Sequence, residues 1–233
     1  MQLARTQLVH DMTTVGLIGR GSIGSTVARL AIAAGHEAVL SNSRGPQTLS
    51  DLVAELGPHA RAATSGEAAA AGDIVVVTVP VKAYPNMPAG ALAGKVVIDT
   101  GNYYPARDGQ ISELDSKSMT DSEFLARYIP AAKVVKGFNN IFFKHLLSLA
   151  RPAGSAERTY LPVAGDDDAA KAAVTEFLDS IGYGTVDAGP LAEGWRQQPR
   201  TPVYGAPYGA IEDEHGISGG EAIVRSALSW ATR

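Results

Sequence analysis

The sequence predicts an α/β fold, a doubly wound parallel sheet with a small C-terminal α/β domain, and three observations carry that prediction. Short apolar runs that read as strands alternate with segments of helical spacing from residue 13 onward, joined by short connections. Three of these runs, at 73–79, 95–99 and 133–137, are nearly continuous rather than alternating, the pattern of strands covered on both faces. A Gly-x-Gly-x-x-Gly string, Gly19-Arg20-Gly21-Ser22-Ile23-Gly24, lies between the first strand-like run and the first helical segment.

Taken in order, residues 1–12 carry no clear pattern and are expected to form a disordered or frayed extension. Residues 13–18 are a β-rich run. Residues 22–34 place Ile23, Val27, Leu30, Ala31 and Ala34 at helical spacing, and Gly35 stops that helix. Residues 37–40 read as the second strand, and 46–56 as a helix with Pro46 in its first turn, ended by Gly57 and Pro58. The continuous strands at 73–79 and 95–99 follow. Residues 103–130 read as a long polar loop with one helix around 122–128, leading into the strand at 133–137. After Asn139 the rhythm changes. A helix is expected at 141–150, a strand at 160–164, and a helix at 168–181 capped by the run Asp166-Asp167-Asp168. A short strand at 184–186 precedes a Gly- and Pro-rich loop or lid at 189–209, and an amphipathic helix at 218–231 closes the chain. The expected division is an extension at 1–12, a nucleotide-binding domain at 13–150, and a small domain for substrate and dimerisation at 151–233.

Composition narrows the function. With 45% apolar and 19% charged residues, the chain reads as an ordinary soluble globular protein. Its 24 acidic and 20 basic side chains are mixed along the sequence, net charge −4, which argues against a nucleic-acid partner. The absence of cysteine excludes disulfides, thiolate metal sites and cysteine nucleophiles. No run approaches the roughly 20 apolar residues of a membrane span, and residues 1–12 lack the apolar core of a signal peptide, so a cytoplasmic protein without a membrane partner is expected. The five histidines, His10, His36, His59, His145 and His215, show no metal-ligand spacing, and no metal is expected.

The glycine string has a physical reading at each position. Gly19 permits a tight turn, Gly21 lets the backbone approach a pyrophosphate, and Gly24 lets helix and strand pack closely, while the helix N-terminus offers N–H groups to the phosphates. Dinucleotide binding in a Rossmann-type sheet follows. An NAD enzyme usually carries Asp or Glu at the end of the second strand; here stand Ser41-Asn42-Ser43-Arg44, with two hydroxyls, an amide and a guanidinium able to meet a 2′-phosphate, and Arg20 adds charge nearby. NADP(H) is therefore expected over NAD(H). Thr78, Val79, Pro80 and Val81 leave the central strand where such a sheet opens its crevice, and Thr100-Gly101-Asn102 leave the next. No Tyr is followed by Lys four residues later, so the tyrosine–lysine acid–base pair of short-chain dehydrogenases has no counterpart. Reduction of a carbonyl calls for a proton donor; hydride exchange between two cofactor rings needs little beyond alignment.

These residues resemble the NADP oxidoreductases dependent on coenzyme F420. The resemblance is carried by residues 16–24, by Ser41-Asn42-Ser43-Arg44, by Thr78-Val79-Pro80, and by Lys136-Gly137-Phe138-Asn139-Asn140. Two downstream blocks, Ala164-Gly165-Asp166-Asp167-Asp168 and Asp187-Ala188-Gly189-Pro190-Leu191, extend it, in order, to about residue 195. It implies a Rossmann domain, a small C-terminal domain, and an interdomain cleft in which hydride passes between nicotinamide C4 and deazaflavin C5. By position it places Gly137 and Phe138 near the nicotinamide, and Asn139, Asn140 and Ile141 at the acceptor ring; homodimers are usual in the family. Asn102, at the exit of the strand at 95–99, is expected in the same substrate pocket. The sequence departs from the archaeal members, which carry His near the position of Asn139. It departs again after Leu191, where Trp195, Arg196, Pro199, Pro202, Tyr204 and Tyr208 could build a different acceptor pocket. Two other readings stay open: an NADPH-dependent reductase of a flavin, quinone or small organic substrate, and a non-catalytic NADP(H) sensor.

Overall fold

The computed structural model describes residues 12–233. Eight strands, β1 (Thr14–Ile18), β2 (Glu37–Ser41), β3 (Ala60–Ala62), β4 (Ile74–Val77), β5 (Val96–Asp99), β6 (Lys133–Lys136), β7 (Tyr160–Gly165) and β8 (Gly184–Asp187), lie in one sheet in the order β3-β2-β1-β4-β5-β6-β7-β8. Neighbours are parallel throughout except β6 and β7, which pair antiparallel at Val135–Gly165 and Lys136–Ala164. Ten helices accompany them: α1 (Ser22–Ala33), α2 (Ser50–Leu56), α3 (Ser65–Ala71), the single turns α4 (Ala89–Leu92), α5 (Pro105–Asp108) and α6 (Ser112–Asp115), then α7 (Asp121–Tyr128), α8 (Phe143–Ser148), α9 (Asp168–Ser180) and α10 (Glu221–Ser229). The chain beyond residue 150 thus extends the same sheet at its edge through β7 and β8.

The continuous apolar strands do what their pattern predicts. Along β4, Ile74 and Val76 pack with Val15, Leu17 and Ile98 on one face, while Val75 and Val77 pack with Ile18, Val97 and Val134 on the other. Side chains alternate across a strand, so a strand buried on both faces must be apolar at every position. Each such buried Val or Ile contributes about 1.5–3 kcal/mol. On the first face α1 buries Val27, Leu30 and Ala31 in the cluster that also holds Leu146 of α8 and Val174 and Phe177 of α9. Among the described residues no helix is long and apolar enough to cross a membrane.

Several elements differ from the sequence expectation. β4 ends at Val77, two residues early, because Thr78 turns its hydroxyl back to the Ile18–Gly19 backbone and Pro80 has no N–H for a ladder. Residues 46–56 divide into a 3-10 turn, Pro46–Leu49, and α2. β3 and α3 were absent from the expectation: β3 is only Ala-Arg-Ala and exists through its pairing with β2, and α3 is an alanine-rich helix whose start is fixed by the Thr64–Glu67 capping box. The 189–209 segment is ordered by two further 3-10 turns, Leu191–Gln197 and Ala206–Tyr208.

Candidate functional site

β1 passes into α1 through residues 19–24, and this loop is clamped between the ends of β2 and β4. Gly19 sits at φ 109 and its N–H donates to the Ser41 carbonyl at 3.1 Å. The Thr78 hydroxyl donates to the Gly19 carbonyl at 2.8 Å. A Cβ on Gly24 would lie 2.6 Å from the Gly19 carbonyl oxygen and 2.7 Å from Thr78 Oγ1, so only glycine lets α1 start this close to β4. Gly21 differs: its Cβ would meet only the Thr78 carbonyl oxygen, at 3.7 Å, and the residue is exposed. Gly21 is also the N-cap of α1, where no side chain caps the helix and no acidic residue stands in the first turn. The opening N–H groups of Ser22, Ile23 and Gly24, and the positive end of the helix dipole, are left for an anion. The loop fits a pyrophosphate.

At the end of β2 the four polar residues divide. Ser41 is fully buried and donates to the Leu17 carbonyl at 2.8 Å. Asn42 shapes the turn, accepting from the Arg44 N–H at 2.8 Å and donating to Thr48 Oγ1 at 2.8 Å. Ser43, Arg44 and Arg20 are exposed. The hydroxyl and the two guanidinium groups therefore form the outward-facing part of this end, and residues 41–44 bring no carboxylate to it.

The exits of β4, β5 and β6 sort the remaining predicted residues. Val79 and Pro80 are half-buried where the chain leaves β4, whereas Val81 is fully buried in the core cluster that holds Val75 and Val77. Asn102 and Asn139 come together: Asn102 Nδ2 donates to the Asn139 carbonyl at 2.8 Å, and Asn139 Nδ2 donates to Asn102 Oδ1 at 3.0 Å and to the Gln197 carbonyl at 2.6 Å. Gly137 and Phe138 offer backbone only, since the Phe138 ring is fully buried in the core from a left-handed backbone at φ 61. Asn140 and Ile141 are not brought to the crevice. Asn140 Nδ2 donates to the Val203 carbonyl at 3.0 Å and to the Tyr208 hydroxyl at 3.1 Å, fastening the 191–208 segment, and Ile141 packs into the core. Tyr208 is likewise core, its hydroxyl held well above the usual phenol range by burial. Asn139 Oδ1 and both amide atoms of the fully buried Gln197 have no hydrogen-bond partner.

Behind these exits lies a polar network that sequence reasoning missed. The Asp99 carboxylate accepts from the Tyr84 hydroxyl at 2.6 Å, the Ser122 hydroxyl at 2.7 Å and the Gly101 N–H at 2.9 Å. Lys136 Nζ donates to the Gly101 carbonyl at 2.9 Å and lies 3.9 Å from Asp99. Tyr84, Asp99, Ser122 and Lys136 are all fully buried. Burial first, and then the Asp99 charge, push the Tyr84 hydroxyl well above the usual phenol range. The network sets the backbone of residues 99–101, and so the position of Asn102. Two of its members, Asp99 and Lys136, end strands, where charged residues read as solvated termini; nothing local reveals that they face each other.

Comparison with known proteins matches residues 14–103 to the family described as NADP oxidoreductase, coenzyme F420-dependent. A hypothetical protein from Sinorhizobium meliloti is 30% identical, with a TM-score of 0.71, over 82% of this chain and 93% of that one. A candidate F420-dependent NADP reductase from Arthrobacter is 29% identical, with a TM-score of 0.66, over 79% of this chain and 88% of that one. Metalloreductase STEAP3 of Rattus norvegicus is 29% identical over 189 residues, 80% of this chain, but the match spans only 36% of that longer protein. With the glycine loop, the carboxylate-free end of β2 and these similarities together, residues 14–103 belong to the family described as NADP oxidoreductase, coenzyme F420-dependent.

Proposed function

We propose that the protein transfers a hydride between NADP(H), held along the C-terminal ends of β1, β2, β4 and β5, and the deazaflavin coenzyme F420, taken up at the end marked by Asn102 and Asn139. The observation that carries the reading is the character of that end: its side chains are carboxamides, Asn102, Asn139 and Gln197, which orient a ring but neither give nor take a proton. Such an end suits hydride exchange between two rings, for which alignment is the main requirement. The unpartnered Asn139 Oδ1 and Gln197 amide provide acceptor and donor positions for a ring edge that bears both.

In this reading the N–H groups of Ser22, Ile23 and Gly24 hold the pyrophosphate, and Ser43, Arg44 and Arg20 hold the 2′-phosphate. Val79 and Pro80 flank the nicotinamide side, opposite the backbone of Gly137 and Phe138. NADPH supplies the hydride and solvent the proton that completes the acceptor's reduction; the chain's own residues align the donor with its acceptor. The homodimer that the family resemblance implies is part of the same proposal.

The test is NADPH oxidation by purified protein, followed by the loss of nicotinamide absorbance, with coenzyme F420, with FMN, and with NADH in place of NADPH. Turnover confined to NADPH with F420 is expected, and Arg44→Ala should weaken NADPH binding about tenfold or more while NADH binding is unchanged. Tight NADPH binding without F420 turnover would overturn the acceptor. Equal losses for both nucleotides in Arg44→Ala would remove Arg44 from the 2′-phosphate.

A further inference from the structure

We propose that a cavity beside the crevice is a second binding site, for an organic oxyanion (a carboxylate or phosphate ester) carried on a planar body. The cavity has a volume of about 400 Å³, within the range of small-molecule sites. Its walls are Tyr103, Tyr104, Trp195 and Pro199, and its cations are Lys117, Arg200 and Arg233. None of the residues that the proposed function gives to NADP(H) or to coenzyme F420 lines it, whereas Trp195 and Pro199, which the sequence offered for a different acceptor pocket, do. It is nevertheless adjacent, because Tyr103 follows Asn102 and Gln198 follows Gln197.

The backbone supplies the second observation. Among the described residues, three that are not glycine adopt a left-handed φ: Lys117 at 57°, Phe138 at 61° and Arg200 at 75°. Two of the three belong to this cavity, and each lies in a local turn: Lys117 follows α6 in a Schellman turn, its N–H on the Leu114 carbonyl at 3.2 Å and the Ser118 N–H on the Glu113 carbonyl at 3.0 Å, and Arg200 follows Pro199 in a turn closed by the Thr201 N–H on the Gln198 carbonyl at 3.3 Å. These turns fix the backbone from which the two cations project. The side chains of Lys117 and Arg200 form no ion pair or hydrogen bond among the described residues, so no described carboxylate matches their charges. Arg233 ties the two sides together, donating to the Lys117 carbonyl at 2.6 Å and lying 6.0 Å from the Trp195 ring.

Two carboxylates also line the space, and both are engaged. Asp115 accepts from the Tyr103 hydroxyl at 2.8 Å, and Asp121 accepts from the Tyr103 N–H at 3.0 Å. Three cations against two hydrogen-bonded carboxylates favour an anion, and the aromatic and proline walls favour a flat body on it.

The chain has two tryptophans, Trp195 in the cavity and Trp230, which is 71% exposed. Trp230→Phe therefore leaves Trp195 as the sole reporter. Its emission is titrated with benzoate, phenyl phosphate, the neutral benzamide and inorganic phosphate. A saturable change with benzoate or phenyl phosphate below about 10 mM is expected, weakened about tenfold by Arg200→Gln or Lys117→Gln, with thermal melts confirming that both variants fold. The proposal is overturned by no saturable response to either aromatic anion, by a response that both variants leave intact, by equal binding of benzamide, or by inorganic phosphate binding as tightly as phenyl phosphate. No arm depends on the identity of the hydride acceptor.

Discussion

Asn102 and Asn139 tie the exits of β5 and β6 by reciprocal hydrogen bonds, the amide of each reaching an oxygen of the other at 2.8 and 3.0 Å. Neither residue titrates, and each fixes the other's rotamer, so the pair presents a rigid polar edge where two neighbouring strands of the sheet end. Because Asn139 also donates to the Gln197 carbonyl, the same edge is fastened to the 191–208 segment.

Asn139→Ala should cost about 1–3 kcal/mol, because the buried Gln197 carbonyl loses its amide donor. In the proposed reaction it should lower kcat more than it weakens NADPH binding. Combined with Asn102→Ala, the losses should be non-additive by about 0.5–3 kcal/mol in a double-mutant cycle followed by denaturant melts. Additive losses would show that the two side chains act independently.

Gly21 and Gly24 should separate binding from folding. Gly24→Ala drives a Cβ against the Gly19 carbonyl and Thr78 Oγ1, and should lower stability by about 1–3 kcal/mol along with nucleotide affinity. Gly21→Ala meets only the Thr78 carbonyl oxygen at 3.7 Å, so stability should change by less than about 1 kcal/mol. Its methyl group stands where the phosphate would approach, and NADPH affinity should fall. Calorimetric titration and melts on both variants decide this; undiminished affinity in Gly21→Ala would move the pyrophosphate elsewhere.

Lys136→Met should lower stability by about 3–5 kcal/mol, since it leaves the fully buried Asp99 without its cation. At about 2–4 °C per kcal/mol for a chain of this size, the fall in Tm is on the order of 10 °C. Lys133, on the same strand, pairs with Asp167 at 3.0 Å but is 44% exposed, and Lys133→Met should cost less than about 1 kcal/mol. Similar losses for the two would refute the network's role in holding residues 99–101.

Asp121 gives a pH signature. Burial raises its carboxyl above the usual range, against the opposing pull of Lys136. Its charged form is thus disfavoured in the fold, a cost present at neutral pH and relieved as pH falls through the raised pKa, where the native state takes up the proton first. Asp121→Asn should therefore raise Tm at about pH 7.5, and the gain should shrink toward about pH 4. A gain that does not vary over this interval would show that the effect is not one of ionisation.

What the sequence by itself determined is whatever local pattern dictates. Short continuous apolar runs between turn residues point to strands covered on both faces, so β4, β5 and β6 were legible, β1 was legible as a β-rich run, and a glycine string between strand and helix points to a phosphate loop. The turn residues at 41–44 were legible as a set, though not that Ser41 and Asn42 are engaged internally while Ser43 and Arg44 face outward. The tertiary structure alone decided the rest. β3 exists because β2 is there to pair with it, and residues 160–187 join the main sheet through two antiparallel partners on β6. Asn139 turns to Asn102 while its neighbour Asn140 turns under residues 203–208. Adjacent residues of one polar run acquire opposite fates there because burial and hydrogen-bond partners come from segments 37 to 68 residues away, which no local periodicity encodes.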